Sequence, residues 1–318
     1  MKIYLLIIFY FLFVSTEAQV EDRFDDGDFT DSPVWSGNDS DFNVNTERQL
    51  QLNAALSGNS FLSVPVNLFT LDSCEWNFYI KLAFSPSTSN FARIYISSDQ
   101  QDITQPLNGY FLQFGESLSS DAIEFFRQDG TTITSVCRAR DGFIATAFMA
   151  RIKLTRDQYG RWTLYADYTG GDNFILEATG NDLFFNSAGW MGVDCRYTSG
   201  NVNKFYFDDF YAGREIPDTT RPYVSAVEAD SGSVLTIIFS EKMDSILITD
   251  INNYLVDNNI GHPVVVTGDI LNQQKYYLRF TKSFQQEVKY TISFSAVPYN
   301  RVAWTVPVVT LRAGSPPG

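Results

Sequence analysis

The chain has little of the side-chain chemistry from which zinc sites and hydrolytic triads are built. It contains one histidine, His262, and three cysteines, Cys74, Cys137 and Cys195, among 318 residues. No CxxC pair and no Cys/His cluster is present, which argues against a zinc site. Because His262 stands in the C-terminal part, a Ser/His/Asp triad in the N-terminal part is excluded. The turn composition of residues 258–263 predicts that His262 is exposed to solvent.

Three cysteines cannot all pair, so a fold stapled by several disulfides is excluded. Export would permit one bridge, and Cys74–Cys195 is one candidate pair. The alternative is that all three cysteines are small buried apolar residues. In either case the core must be held together by packing.

Long apolar runs are absent except at the start. Ile3–Val14 is apolar throughout and is followed by Ser15-Thr16-Glu17-Ala18, which predicts a secretory signal at residues 1–18 with cleavage after Ala18. About twelve apolar residues are too few to span a bilayer; an uncleaved anchor is the alternative. We therefore expect a protein that is secreted or displayed at the cell surface, with no membrane span after cleavage.

Basic residues are scarce. The chain has 23 Lys and Arg against 37 Asp and Glu, for a net charge of −14. Residues 1–217 hold 15 basic and 28 acidic residues, whereas residues 218–318 hold 8 and 9. A phosphate backbone is repelled by such a surface, so nucleic acid is excluded as a partner.

What the chain has in plenty is aromatic residues, with 27 Phe and 17 Tyr. Aromatic residues favour strands, and short apolar runs recur with turn signals between them. Trp76–Leu82 alternates apolar and other residues, as a half-buried strand does, and predicts a buried Trp76.

Proline and small polar residues at 215–222 predict a linker. The pattern predicts an all-β chain: a sandwich or jelly roll at 19–214 and a second sandwich at 223–312, with a linker-like tail at 313–318 that suggests further domains downstream.

The second half resembles a known module. Asp218-Thr219-Thr220-Arg221-Pro222 and Leu235–Asp244, the latter reading LTIIFSEKMD, are similar to the opening and central motifs of the bacterial Ig-like domain of S-layer and cell-surface proteins. The resemblance covers most of residues 218–311 and implies an Ig-like β-sandwich. It departs from the family at residues 298–301, where a D-x-x-G-N turn is usual.

The first half resembles the concanavalin A-like jelly-roll domain of secreted bacterial surface proteins. The residues that carry this resemblance are Phe24–Phe29, Pro33-Val34-Trp35, Trp76–Leu82, Gly109–Gln113, Phe126–Gly130, Trp162–Tyr165 and Lys204–Phe210. The family implies a jelly-roll fold but no single ligand, because the fold hosts lectins, hydrolases and spacers.

Hydrolases of this fold usually carry two or three carboxylates on one strand face, as E-x-D-x-E. No such triplet occurs here. Asp208 and Asp209 are consecutive, and consecutive residues of a strand point to opposite faces. We therefore expect that the chain is not an enzyme.

Clustered aspartates suggest a structural Ca²⁺ site. Several lie near the predicted mature N-terminus and two lie in the last strand of the same domain, and the first and last strands of jelly rolls commonly pair. Oxygen ligands of this kind suit Ca²⁺. The candidate ligands are Asp25, Asp26, Asp28, Asp208 and Asp209. The alternative is that these are solvated carboxylates of turns and strand ends.

Sugar rings stack on exposed Tyr and Trp side chains. The candidates for ligand binding are Trp35, Tyr79, Tyr95 and Tyr165; the alternative for each is a place in the core. The preferred hypothesis is a non-catalytic module that binds a polysaccharide or cell-surface glycan in adhesion. The second is a structural spacer or interaction protein of the cell surface without a small ligand, and the third is a glycoside hydrolase.

Overall fold

The computed structural model describes residues 20–117, 120–217, 222–241, 243, 248–269, 272, 274–285, 288–294 and 306–312, the last range as backbone only. The predicted signal peptide, the tail and Trp304 lie outside these residues. Contacts divide the chain into two compact units, Met1–Ile216 and Pro217–Gly318. Each unit is described separately below.

The first unit is built from fifteen described strands. They are Val20–Asp22 (β1), Ser36–Gly37 (β2), Phe42–Val44 (β3), Leu50–Leu52 (β4), Gly58–Leu68 (β5), Cys74–Leu82 (β6), Phe91–Ser98 (β7), Leu107–Phe114 (β8), Ile123–Gly130 (β9), Thr132–Arg138 (β10), Phe148–Arg156 (β11), Arg161–Asp167 (β12), Ile175–Asn181 (β13), Ala188–Tyr197 (β14) and Phe205–Arg214 (β15).

These strands form two antiparallel sheets. The eight-stranded sheet has the order β13-β12-β11-β6-β15-β4-β3, with β1 also paired to β15, and the seven-stranded sheet has the order β10-β9-β8-β7-β14-β5-β2. The first and last strands of the unit therefore pair. The prediction of an all-β chain is confirmed.

The core lies between the two sheets and follows the period of two in the sequence. Along β6, Trp76, Phe78, Ile80 and Leu82 are fully buried, so the prediction that Trp76 is buried is confirmed. Its ring lies 5.5 Å from that of Trp162. Burying a large apolar side chain stabilises a fold by roughly 1.5–3 kcal/mol. The alternate residues of β6 point to the outer face of the sheet.

The candidate Cys74–Cys195 disulfide is not formed. Cys74 belongs to the eight-stranded sheet and Cys195 to the seven-stranded sheet, and all three cysteines are buried thiols. The Cys74 Sγ donates to the carbonyl of Thr70 at 3.4 Å. Burial raises the pKa of the Cys195 thiol. The cysteines act as small core residues, which was the alternative interpretation.

Strand β15 contains a β-bulge that shapes the outer face of the eight-stranded sheet. Asp208 pairs with Tyr79, but the next paired residue, Tyr211, faces Asn77, so the register shifts between them. Asp209 has a left-handed backbone with φ +52°. A bulge of this kind rotates the extra residue out of the regular alternation.

The second unit contains seven described strands. They are Val224–Ser231 (β16), Val234–Phe239 (β17), Tyr254–Val256 (β18), Val265–Gly268 (β19), Lys275–Arg279 (β20), Lys289–Phe294 (β21) and Val306–Arg312 (β22). They form a four-stranded sheet, β16-β17-β20-β19, and a three-stranded sheet, β18-β21-β22. Leu235, Ile237, Leu278 and Ile292 are among its buried core residues. His262 is exposed, as predicted.

Candidate functional site on the eight-stranded sheet

The outer face of the eight-stranded sheet carries polar and tyrosine side chains in transverse rows. In the central row, Asp208 of β15 faces Tyr79 of β6, Tyr79 faces Arg151 of β11, and Arg151 faces Asp167 of β12. Four neighbouring strands thus bring together residues that are far apart in sequence. We call this outer face, centred on Tyr79, the tyrosine face.

Asp209 joins the same face, contrary to the expectation from strand alternation. Its carboxylate forms an ion pair with Arg151, whose side chain belongs to the central row. The bulge in β15 is the physical reason, because it interrupts the period of two that would have sent Asp208 and Asp209 to opposite faces. The structure therefore places two adjacent carboxylates beside Tyr79.

Asp208 is the most perturbed carboxyl of this face. Its pKa is raised to about 7, mainly by burial and also by the neighbouring carboxylates of Asp209 and Asp25, against the hydrogen bond that it accepts from the backbone of Asp209. A group with this pKa is partly protonated near neutral pH. It can therefore both donate and accept hydrogen bonds within the face.

Two flanking rows add a tyrosine and a lysine each. On one side Tyr206 faces Lys81, and the Lys81 ammonium lies 5.0 Å from the Tyr206 ring centre. On the other side Lys153 faces Tyr165. Tyr79, Tyr165 and Tyr206 are all half-buried. Their rings are therefore held by packing while part of each stays open to solvent.

A tight turn after β12 forms a wall beside Tyr79. Asp167 holds this turn by accepting hydrogen bonds from the backbone of Thr169 and Asn173 at 2.8 and 2.9 Å. Gly170 occupies a left-handed position, and a Cβ there would lie 2.9 Å from the Tyr79 ring. Only glycine allows the turn to approach the ring this closely. The wall fixes one edge of the Tyr79 side chain.

Several amide oxygens of the tyrosine face are buried without a hydrogen bond within the described part of the chain. They are Oδ1 of Asn43, Oε1 of Gln49 and Oδ1 of Asn77. Buried polar atoms of native proteins are usually paired, with ordered water where no protein group is near. Water is therefore expected to be part of this surface.

Two of the four predicted ligand-binding aromatics lie elsewhere. Trp35 is 1% exposed and Tyr95 is 2% exposed, so neither ring can stack on a sugar in this structure. Trp35 packs against Phe210 and donates its Nε1–H to Asp22 at 2.8 Å. The predicted stacking roles of Trp35 and Tyr95 are wrong, because both rings are buried. Tyr79 and Tyr165 do reach the tyrosine face.

Tyr95 belongs to an aromatic row on the outer face of the seven-stranded sheet. Its ring lies 5.1 Å from Phe111, whose ring lies 5.2 Å from Phe126. The loop between β7 and β8 covers this row with the buried side chain of Ile103. The Tyr95 hydroxyl donates to Gln128 at 3.1 Å. This face is therefore partly closed by its own chain.

A polar row runs beside that aromatic row and was not predicted from the sequence. Arg138, Glu124, Gln113, Arg93 and Asp194 stand opposite one another across five strands. Burial raises the pKa of Asp194 to about 6, against the lowering effect of Arg93. These side chains largely satisfy one another, since Arg138 pairs with Glu124 and Glu116.

The predicted calcium ligands come partly together. Asp25 lies near enough to Asp208 to raise its pKa, but Asp26 and Asp28 accept hydrogen bonds from backbone groups of their own turn, and Asp209 is paired with Arg151. In the described part of the chain, no group of three or more His, Cys, Asp or Glu residues is arranged to hold a metal ion. This geometry suits the alternative interpretation of turn and strand-end carboxylates.

Comparisons with known proteins give likeness at the level of structure only. No family model and no curated protein matches the chain. The exoplasmic domain of VIP36 in a Ca²⁺- and mannose-bound form is 10% identical, with a TM-score of 0.45 over 65% of this chain and 93% of that one. Lectin I-B4 of Griffonia simplicifolia is 14% identical, with a TM-score of 0.40 over 61% and 98%.

A legume lectin-like domain from Entamoeba histolytica is also similar, at 10% identity and a TM-score of 0.40 over 57% of this chain and 88% of that one. At such low sequence identities and TM-scores, the ligands of these proteins say nothing about the ligand of this chain.

The described residues contain no helix that is long and apolar enough to cross a membrane. The bacterial Ig-like resemblance of the second half stays a prediction.

Proposed function

We propose that the first unit is a non-catalytic glycan-binding module, secreted or displayed at the cell surface, and that the tyrosine face binds the glycan. The observation that carries this proposal is the row Asp208–Tyr79–Arg151, flanked by the Tyr206 and Tyr165 rows. It combines partly exposed aromatic rings with hydrogen-bonding side chains. Sugar-binding sites need both kinds of group.

Each part of the face has a role in this proposal. The apolar C–H face of a pyranose would stack on the open side of Tyr79 or Tyr165. Sugar hydroxyls would donate to Asp208 or Asp209 and accept from Arg151. The net charge of −14 favours a neutral sugar over an acidic one, because an anionic polysaccharide would be repelled.

The bulge in β15 supports a second candidate function, glycoside hydrolysis. Asp208, with a pKa of about 7, and the Arg151-paired Asp209 form a carboxyl pair on one face, and hydrolases use an acid and a carboxylate together. The Arg151 ion pair opposes a nucleophilic role for Asp209. Release of reducing ends from a retained polysaccharide would support the hydrolase.

Affinity electrophoresis of residues 19–318 in gels that contain different polysaccharides tests the glycan proposal. We expect retardation by at least one neutral polysaccharide, and loss of most of it in Tyr79→Ala and Tyr165→Ala. Tyr159→Ala is the matched control, because Tyr159 is 74% exposed on the turn between β11 and β12 and outside the face.

Running each gel with Ca²⁺ and with a chelator tests the predicted metal site at the same time. Retardation that needs Ca²⁺ would assign a role to the aspartate cluster. The absence of retardation in every gel would overturn glycan binding and favour a structural spacer.

A further inference from the structure

A pocket lies at the end of β6 and the start of β11. Its volume is about 480 Å³, which is within the roughly 300–1,000 Å³ of pockets that hold small molecules. Its lining residues include Leu82, Phe143, Phe148, Met149 and Tyr168. The pocket is therefore lined largely by aromatic rings and a thioether.

The pocket is held in shape by the core beneath it. Ile144, next to Phe143, is fully buried and anchors the segment that enters β11. The Phe143 ring lies 4.9 Å from Tyr168, and the Phe148 ring stacks on Phe114 at 6.2 Å. The walls thus exist before any ligand arrives, which lowers the entropic cost of binding.

Two large apolar side chains of this pocket remain in contact with solvent. Phe143 is 46% exposed and Met149 is 42% exposed. Covering them with a ligand would remove apolar surface from water and so favour binding. Aromatic ligands gain additionally from ring–ring and sulfur–ring contacts.

The charge of the pocket is opposite to that of the molecule. Among the described residues that line it, Lys81 is the only charged one, although acidic residues outnumber basic ones by 37 to 23 in the chain. Lys81 forms no salt bridge with any of the described residues. The Arg140 guanidinium lies 4.0 Å from the Phe143 ring centre, but it is paired with Glu177. The Lys81 ammonium lies over the Tyr206 ring at 5.0 Å but has no carboxylate partner among the described residues, so it can pair with an anion.

We propose that this pocket binds a small aromatic carboxylate. The aromatic body lies between Phe143, Phe148 and Met149, and the carboxylate pairs with Lys81. Charge complementarity selects an acid over a neutral aromatic compound of the same size. This pocket adjoins the tyrosine face and shares Lys81 with its Tyr206 row, but binding of the aromatic carboxylate does not depend on glycan binding.

Two matched probes, 1-naphthoate and 1-naphthalenemethanol, test this proposal by NMR titration of the full chain at neutral pH. They share the ring system and differ in charge. We expect 1-naphthoate to bind about tenfold more tightly, the difference that about 1.4 kcal/mol produces. Equal affinities would overturn the role of charge, and the absence of binding by both would overturn the site.

Variants locate the binding. Lys81→Gln is expected to weaken 1-naphthoate about five- to tenfold and to leave 1-naphthalenemethanol unchanged. Phe143→Ala should weaken both probes. Phe69→Ala is the control, because Phe69 is 87% exposed near the opposite end of β6; equal weakening by Phe69→Ala and Phe143→Ala would show non-specific adsorption and overturn the proposal. All three positions are partly or largely exposed, and thermal melts check that each variant is folded.

Discussion

At the scale of single residues, Asp208 connects the stability of the first unit to pH. Its pKa is about 7 in the folded chain against an ordinary value of 3.8, because burial and the carboxylates of Asp209 and Asp25 disfavour the charged form. At pH values between 3.8 and about 7, the folded chain binds more protons than the unfolded chain. The stability contributed by the neutral acid is therefore lost as the pH rises towards 7.

Asp208→Asn should remove this pH-dependent loss. We expect the variant to melt a few degrees higher than the parent protein at about pH 8. The difference should disappear towards pH 4, where residue 208 is neutral in the folded parent as well as in the variant. Thermal melts at several pH values provide the measurement. Asp31→Asn, at an exposed turn, is the control for the loss of one surface charge, and Asp208→Asn should show the larger change. A constant difference at all pH values would contradict the assignment.

Trp35 contributes to stability through a buried hydrogen bond. It donates to Asp22, which is itself buried. Trp35→Phe leaves that carboxylate oxygen without its donor, and we expect a loss of about 1–3 kcal/mol beyond the loss of volume. Trp76→Phe is a matched control, since Trp76 is equally buried and its Nε1 has no hydrogen-bond partner in the described residues. Urea denaturation should rank Trp35→Phe as the more destabilised; equal losses would refute the role of the bond.

At the scale of elements, the bulge in β15 determines which side chains reach the tyrosine face. Because Asp209 is left-handed, with φ +52°, Asp209→Gly should be more stable than Asp209→Ala by about 1 kcal/mol. Both variants lose the ion pair with Arg151 equally. At Asp208, which has no left-handed backbone, the order should reverse. Urea denaturation of the four variants tests both orders. Equal free energies of unfolding for Asp209→Ala and Asp209→Gly would argue against the bulge.

The strands themselves could be predicted from the sequence, because their signal is local. Alternation over Trp76–Leu82 correctly predicted the buried and outer sides of β6. The predicted tyrosines Tyr79 and Tyr165 reach one face for the same reason. Each of these predictions needs only a period of two within a few residues.

The parts of the site that were missed depend on contacts between distant segments. Trp35 stands in a polar stretch, yet its ring packs on Phe210, and no local pattern reveals that contact. Nothing in Asp208-Asp209 predicts a bulge, because the usual glycine is absent there. The polar row that ends at Arg93 and Asp194 exists only once strands β7 and β14 are known to be neighbours.

At the scale of the whole molecule, charge is unevenly divided. The first unit carries most of the excess of acidic residues, 28 against 15 basic ones within residues 1–217. Many of its aspartates lie in exposed turns, including Asp26 and Asp31. Repulsion among surface charges of one sign destabilises a compact state. The first unit is therefore expected to respond to ionic strength.

Salt should raise the melting temperature of the first unit. Because four of the five tryptophans, Trp35, Trp76, Trp162 and Trp190, belong to Met1–Ile216, tryptophan emission mainly reports its unfolding. We expect the transition to rise by a few degrees between about 10 mM and about 300 mM NaCl, as the Debye length falls from about 30 Å to below 10 Å. The double variant Asp31→Lys/Glu47→Lys should melt above the parent at low salt and lose that advantage at high salt. A transition that stays constant or falls with salt would mean that the paired charges, such as Arg151 with Asp209, outweigh the repulsion.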